Sequence, residues 1–403
     1  MKRRDFIRAG SLLTAGAALS LHTSAISNVF ADKVYKVGIL GYGDRGSGLH
    51  GIMNQLPDKF QVAAVCDTLP FRLDNARTKW SGKKINYYSD YLQMLDQKDL
   101  DIILVSTPLN GHFEHGKASL DAGKHLYLEK TMTYSANEAI QLAEISRNTP
   151  KQVVQVGHQY RYSPLYFKVK EMINSGYLGK VTQVDARWDR NHDWRRAVRS
   201  PELERLINWR MYREYSGGLA AELLSHQMDF IHWAFDCVPS TVYGTGGIDH
   251  FDDGRETFDN VQINLRYADE GMIGSFGATC SNKHEGYHFK IKGTKGMVSL
   301  LMDDGVFYPE EETRAELEEV DGVSGATKLV WADDKKGIKL VDKKPKDGSF
   351  YALEDFYRCL QEKSLPHSNV YNGGQTAIAV ALANQSLYNG TVESWEEKFK
   401  LSI

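Results

Sequence analysis

Three glycines and an acid mark the first place where this sequence could do chemistry. Strand-like residues 37–40 run into Gly41-Tyr42-Gly43-Asp44-Arg45-Gly46, a G-x-G-x-x-G spacing at the start of a helix. In that spacing the first glycine permits a tight turn, the second lets the backbone approach a pyrophosphate, and the third lets helix and strand pack closely. The helix N-terminus then offers amide donors to the phosphates. Asp67 ends the next strand-like run, 21 residues after Gly46. A carboxylate there accepts hydrogen bonds from ribose hydroxyls and repels a 2′-phosphate, so NAD is expected over NADP, with Arg72 able to soften the preference. The candidate dinucleotide residues are therefore Gly41, Gly43, Asp44, Arg45, Gly46, Asp67 and Arg72. The alternative is a glycine turn beside a surface aspartate.

A second chemical signal lies between Arg187 and Gly218. It reads Trp188-Asp189-Arg190-Asn191-His192-Asp193-Trp194-Arg195-Arg196, then Asn208-Trp209-Arg210-Met211-Tyr212-Arg213-Glu214-Tyr215. Tryptophan faces stack on the apolar faces of sugar rings, while Asn, Asp and Arg hydrogen-bond hydroxyls, so this segment suits a carbohydrate. The expected substrate contacts are Trp194, Arg195, Trp209 and Arg213, with Tyr160 and Arg161 on the same cleft and His158 as a substrate or nicotinamide contact. The alternative is that the tryptophans pack the segment on a sheet and the arginines pair with carboxylates.

The elements that must position these groups fall into two textures. From Val34 to about Val156, short apolar runs alternate with helical stretches: 35–40, 61–66, 102–106, 125–128 and 153–157. They predict a parallel sheet wound with helices, an α/β dinucleotide-binding domain of the Rossmann type over 33–156. Beyond Gly157 the runs are longer and alternate, at 181–188, 261–267, 272–279, 289–292 and 297–301, with Ala268-Asp269-Glu270-Gly271 as a hairpin turn. They predict a second α/β domain over 157–403 with a large, mostly antiparallel, open-faced sheet. Residues 310–347 read as a charged, Gly-rich loop excursion, followed by helices at 350–361 and 374–387 with a return to the first domain open to them. The open face suggests a homo-oligomer, dimer or tetramer.

Composition limits the remaining classes. The formal charge of the 403 residues is −3; the first 31 contain four basic residues and one acid, which leaves −6 for the rest. That balance, without a later basic run, excludes a nucleic-acid surface. Residues 1–31 read as a signal segment, with Lys2-Arg3-Arg4-Asp5-Phe6-Ile7 resembling a twin-arginine export address, so an exported, periplasmic protein is expected. No later stretch reaches the ~18 apolar residues of a membrane span. Cys66, Cys237, Cys280 and Cys359 are widely spaced, and neither a disulfide framework nor a metal site is expected.

The fourth run continues as Val105-Ser106-Thr107-Pro108, then His112, then Ala122-Gly123-Lys124-His125-Leu126-Tyr127-Leu128-Glu129-Lys130. This resembles the glucose-fructose oxidoreductase and inositol 2-dehydrogenase (Gfo/Idh/MocA) family, and the likeness continues through Gly157, Arg161-Tyr162-Ser163-Pro164, Gly217-Gly218, His226, Asp229 and Gly293-Thr294-Lys295-Gly296. The resemblance implies that Thr107, Pro108, His112, Glu129 and Lys130 lie at the cofactor, and that Lys130, Glu222 and His226 form the catalytic set. Oxidising a secondary alcohol needs a base for the hydroxyl proton, a role for His226, and a cation beside the developing alkoxide, a role for Lys130. Glu222, four residues before His226, would orient the ring or share its proton. Each has an alternative: a solvated strand-end lysine, a helix histidine satisfied by a neighbour, a partner for Arg210 or Arg213.

Two positions depart from the family pattern. Thr131 stands where the family carries proline, and a cis bond before a non-proline residue costs about 2.5–4 kcal/mol, so a cis geometry is not expected to carry over. Glu222 stands where the family carries Asp. The resulting expectation is an NAD(P)-dependent sugar or glycoside oxidoreductase, acting at a secondary hydroxyl such as C3 with a tightly bound cofactor. Two others compete with it: an NAD-dependent glycoside-cleaving enzyme working by transient oxidation and elimination, and a sugar-binding or sensory protein without turnover.

Overall fold

The computed structural model describes residues 33–310 and 337–401; residues 1–31, read above as a signal segment, and most of the stretch 310–347, read as a loop excursion, lie outside them. The first sheet is parallel, in the order β3-β2-β1-β4-β5-β6, with β1 Tyr35–Leu40, β2 Phe60–Cys66, β3 Asn86–Tyr88, β4 Ile102–Val105, β5 His125–Leu128 and β6 Val154–Val156. The central strands β1 and β4 are buried almost throughout, because helices cover both faces of a parallel sheet. β3 escaped the sequence reading: its three residues are polar or aromatic and only partly buried, as suits an edge strand.

The second sheet has nine strands in the order β14-β13-β12-β11-β7-β10-β9-β8-β15. These are β7 Val181–Trp188, β8 Thr241–Gly247, β9 Asn260–Tyr267, β10 Met272–Thr279, β11 Tyr287–Gly293, β12 Gly296–Leu301, β13 Asp304–Pro309, β14 Ile338–Lys339 and β15 Glu393–Ser394. Neighbours are antiparallel except β7 and β10, which run parallel with Gln183 opposite Ile273. In β9 buried Val261, Ile263, Leu265 and Tyr267 alternate with exposed Gln262, Asn264 and Arg266, so one face meets the core and the other is outward. β8 and β13 were not anticipated: glycines in the first and a terminal proline in the second mask their period.

The chain returns to the first domain near its end. Leu353, Phe356, Cys359 and Leu360, on helix Gly348–Glu362, join one buried cluster with Val37, Ile39, Val65, Leu104 and Tyr127. Four apolar groups on one face of a helix therefore complete the core beneath the glycine-rich turn. Helix Val370–Asn389 packs against helix Ala136–Asn148 and against helix Ser225–Phe235, which bridges the two domains. All four cysteines are free, and no described helix is long and apolar enough to cross a membrane.

Phe356 is fully buried and meets Tyr127 edge to face. Phe356→Ala is expected to lower unfolding stability by ~3–5 kcal/mol, measured by urea denaturation. A loss below about 1 kcal/mol would show that the C-terminal helix is not part of that core.

Candidate active site

The glycine-rich turn is built by steric necessity. Gly41 has φ +87°, and a Cβ there would lie 2.7 Å from the Ser106 carbonyl oxygen; a Cβ at Gly46 would strike the Gly41 carbonyl. Gly43 differs, since a Cβ there would meet nothing closer than the Arg72 guanidinium at 3.8 Å. It faces an open cleft of about 410 Å³ and caps helix Asp44–Met53 with no side-chain hydrogen bond. The first-turn amides are thus not capped by a side chain on the cleft side, as a diphosphate requires.

Asp67 lies on the same cleft. Its carboxylate accepts from the amides of Tyr42 (2.7 Å) and Leu69 (2.9 Å) and lies 3.3 Å from Arg72 Nη1. These contacts fix the direction of the carboxylate, and Arg72 lies beside it as a counter-charge. Thr107 and Pro108 form another part of the wall, and Ser106 Oγ donates to the Gly41 carbonyl at 2.7 Å. These features fit NAD.

A second cavity, about 430 Å³, shares Arg45, Ser106, Thr107, Trp194, Trp209 and Arg210 with the cleft. Lys130 and His226 face each other's domain across it, Lys130 following β5 and His226 on helix Ser225–Phe235. Lys130 Nζ donates to the carbonyls of Ala221 (2.9 Å) and Glu222 (2.8 Å), both in a π-helical turn, Ala220–Leu224. Of the ammonium's three donors one remains for the cavity. Burial pushes the Lys130 pKa down, against the upward pull of Glu222 and Glu129. Glu129 in turn pairs with Arg45 at 2.7 Å.

His226 sits among aromatic rings, its centroid 4.6 Å from that of Tyr160 and 5.7 Å from that of Trp188, and its Nδ1 has no protein partner. Burial, reinforced by the charge of Lys130, holds its pKa well below 6.5. The ring is therefore neutral at neutral pH and free to accept a proton, although it is a weaker base than an exposed imidazole.

Several sequence-based expectations are corrected here. Glu222 does not orient His226: its carboxylate takes Arg210 Nε at 2.7 Å, while its backbone carbonyl receives Lys130. Burial would raise this carboxyl, but Arg210 and Lys130 together hold it below the usual range. Lys130–Thr131 is cis despite the missing proline. Thr131 is held on both sides, its carbonyl 2.8 Å from His112 Nδ1 and its hydroxyl donating to the Ala221 carbonyl at 3.2 Å.

Arg161 is not on the cleft. Residues 159–162 form a 3₁₀ turn, whose successive side chains diverge by about 120°. With Tyr160 facing the cavity, Arg161 points into the core, where it is 1% exposed, donates to both Asp229 carboxylate oxygens through Nε and Nη2, and donates to the His367 carbonyl through Nη1 at 2.7 Å. His158 lies beneath His226, its Nδ1 3.1 Å from Asp229 Oδ1 without hydrogen-bond alignment, so it is not in the cavity wall. Arg195 is held by Asp253 (2.8 Å) and Glu204, and Arg213 stacks on Tyr388, 3.7 Å from the ring centroid. Neither lines either of these two cavities, because carboxylate or aromatic partners elsewhere in the second domain claim them.

Trp194, Trp209 and Tyr160 do line the second cavity, and His112 lies at its edge with Nε2 3.0 Å from the Thr107 carbonyl. Trp188, Arg190, Arg210 and Ser106 belong to the site without having been assigned to it. All four stand beside residues that drew attention, yet nothing in local spacing says which neighbour faces inward. Asp229 was visible only as part of a motif; its task is to neutralise Arg161 beneath the site. Among the described residues, no group of three His, Cys, Asp or Glu is placed to hold a metal ion.

Comparison with known proteins gives this architecture a family. Residues 35–158 match the model described as oxidoreductase family, NAD-binding Rossmann fold, and residues 166–299 match the GFO/IDH/MocA C-terminal domain. The chain belongs to the Gfo/Idh/MocA oxidoreductase family, and its first domain is an NAD-binding Rossmann domain. It is 27% identical over 202 residues to inositol 2-dehydrogenase/D-chiro-inositol 3-dehydrogenase of Lactiplantibacillus plantarum, covering 50% of this chain and 52% of that protein. It is also 27% identical over 199 residues to inositol 2-dehydrogenase of Salmonella typhimurium, 49% of this chain and 54% of that one. The chain thus spans about half the length of these curated relatives. Among solved structures, the WlbA dehydrogenase of Bordetella pertussis with NADH and UDP-GlcNAcA superposes with a TM-score of 0.70 at 20% identity, over 90% of this chain and 99% of that one. A levoglucosan dehydrogenase with NADH and levoglucosan gives 0.71 at 18%, again over 90% and 99%. At such identities these two show a shared fold.

Buried neutral histidines make stability depend on pH. Burial lowers His158 and His232, and also His50 and His115, to about 4 from 6.5. Between those values the unfolded chain binds more protons than the folded one, so stability is full above about pH 6.5 and falls as pH drops toward 4. Thermal unfolding followed from pH 7 to 4.5 is expected to show a falling midpoint with more than one proton taken up per molecule. A flat profile would refute neutral burial of these rings.

Proposed function

We propose that the protein is an NAD-dependent oxidoreductase acting on a secondary hydroxyl of a sugar or glycoside, C3 being one candidate position. One observation carries the reading: Lys130 from the first domain and His226 from the second line a single cavity that shares walls with the dinucleotide cleft. When bound, NAD supplies the hydride acceptor. The neutral His226 ring accepts the hydroxyl proton, and the remaining N–H of Lys130 stabilises the negative charge growing on the same oxygen. Glu222 acts at one remove, fixing Arg210 while its carbonyl holds the lysine. Tyr160, Trp188, Trp194 and Trp209 surround the site with aromatic surface suited to a pyranose face. The inositol 2-dehydrogenases among the relatives act on a ring of secondary alcohols, which supports the substrate class.

The first test is the absorbance spectrum of the purified protein before and after adding a panel of glucosides and disaccharides. A reduced-nicotinamide band is expected with at least one sugar, with the new carbonyl located by mass spectrometry. His226→Ala is expected to lower the rate roughly 10²–10⁴-fold, and Lys130→Met roughly 10²–10³-fold with a larger effect on kcat than on KM. If no sugar yields the band while NAD still binds, the oxidoreductase reading fails; cleavage of an aryl glycoside under those conditions would put an elimination enzyme in its place.

We also propose that the protein is exported through its twin-arginine-like leader, the support being the Arg3-Arg4 pair ahead of Phe6-Ile7 and the apolar run that follows. Replacing Arg3 and Arg4 by lysine is expected to retain the protein in the cytoplasm of a bacterial host, read by cell fractionation. Unchanged export would discard that route.

A further inference from the structure

Residues 189–216 leave β7 and return at the π-helical turn, and on the way they cross the dinucleotide cleft. Arg196, Leu206, Ile207 and Tyr215 line that cleft together with Gly43 and Asp67. The segment is tied to the first domain at three separate points. The Arg196 guanidinium pairs with Asp44, in the first turn of the glycine-rich helix. The Tyr134 hydroxyl donates to the Arg213 carbonyl, and the Asn110 amide donates to the Tyr215 carbonyl at 3.3 Å. From the other side, Asn208 braces the strap at Arg196 itself, accepting from its amide at 2.8 Å and donating to its carbonyl at 2.9 Å. Leu206 keeps 44% of its surface exposed in the cleft wall, an apolar area with no protein cover.

We infer that this segment is a roof that completes the dinucleotide site and retains the cofactor between turnovers. The inference rests on the NAD-binding assignment of the first domain. Asp44 stands at the helix end that receives the diphosphate, where an unpaired carboxylate would repel it, and pairing with Arg196 offsets that repulsion. Leu206 and Ile207 cover the dinucleotide with apolar surface that is otherwise wet. Release then requires the links to Asp44, Tyr134 and Asn110 to open together, which slows dissociation more than it changes association.

The test loads the full chain with NADH and measures its exchange against excess NAD by loss of nicotinamide fluorescence. Arg196→Gln, at an exposed position, is expected to speed exchange about fivefold, the upper range for one exposed ion pair. Leu206→Asp, which removes apolar cover and adds a negative charge, is expected to speed it by more than about tenfold. Raising salt should accelerate the wild-type protein more than Arg196→Gln, because only the former has the pair to screen. Bound NADH should also slow tryptic cleavage at Arg199, which is exposed on the segment. Equal exchange rates in the wild type and Arg196→Gln, with no protection of Arg199, would overturn the roof while leaving sugar oxidation standing. Slow exchange in a protein that oxidises no sugar would instead overturn the proposed activity and leave the roof in place.

Discussion

The carbonyl oxygen of Ala221 is the point on which the site turns. It receives Lys130 Nζ, the Thr131 hydroxyl and the Ser225 hydroxyl, so two donors from the end of β5 and one from helix Ser225–Phe235 converge on a single acceptor between domains. A buried ammonium is stable only when its protons find acceptors. The turn that supplies two of these acceptors, Ala221 and Glu222, is π-helical, its backbone bonding shifted by one residue from that of an α-helix, and each carbonyl's second lone pair can take a donor from outside the helix. The same turn begins the helix that carries His226, so holding the lysine and placing the histidine are one structural act.

Charge around the cavity follows from this arrangement. Arg45, Lys130 and Arg210 face it with Glu129 and Glu222 as their partners, and Arg190 adds a further cation stacked 4.3 Å from Trp194. Burial first, and the positive charge of Lys130 second, penalise protonation of His226, which keeps the ring in its proton-accepting form. Beneath it, the Arg161–Asp229 pair is fully buried, a poor source of net stability but an effective fixer of position, since neither partner has another place to put its charge. Thr376 from helix Val370–Asn389 also reaches Asp229, at 3.3 Å, so the C-terminal helix shares in holding the floor of the site.

Much of the architecture was legible in the chain. Strands β1, β5, β7 and β10 coincide with the runs read from it, because buried parallel strands and half-buried antiparallel strands each leave a periodic trace. The glycine-rich turn was legible for a stronger reason: Gly41 and Gly46 occupy places where any Cβ collides with backbone, so residue type and conformation are locked together. Edge strands β3, β14 and β15, two or three residues long, carry too little pattern to be seen.

The sequence by itself determined the dinucleotide turn, the two sheet types and the residue types available for proton transfer and sugar stacking, since these depend on local sterics and on period. Only the tertiary structure decided which charge meets which. Glu222 went to Arg210, Arg161 to Asp229 across 68 positions, and Arg196 to Asp44 across 152. A long charged side chain can reach several partners, and the choice is made by packing that brings distant segments together, not by spacing along the chain. The same holds for the segment 189–216, whose aromatic and basic composition announced a binding surface but whose position over the dinucleotide cleft exists only once both domains are folded.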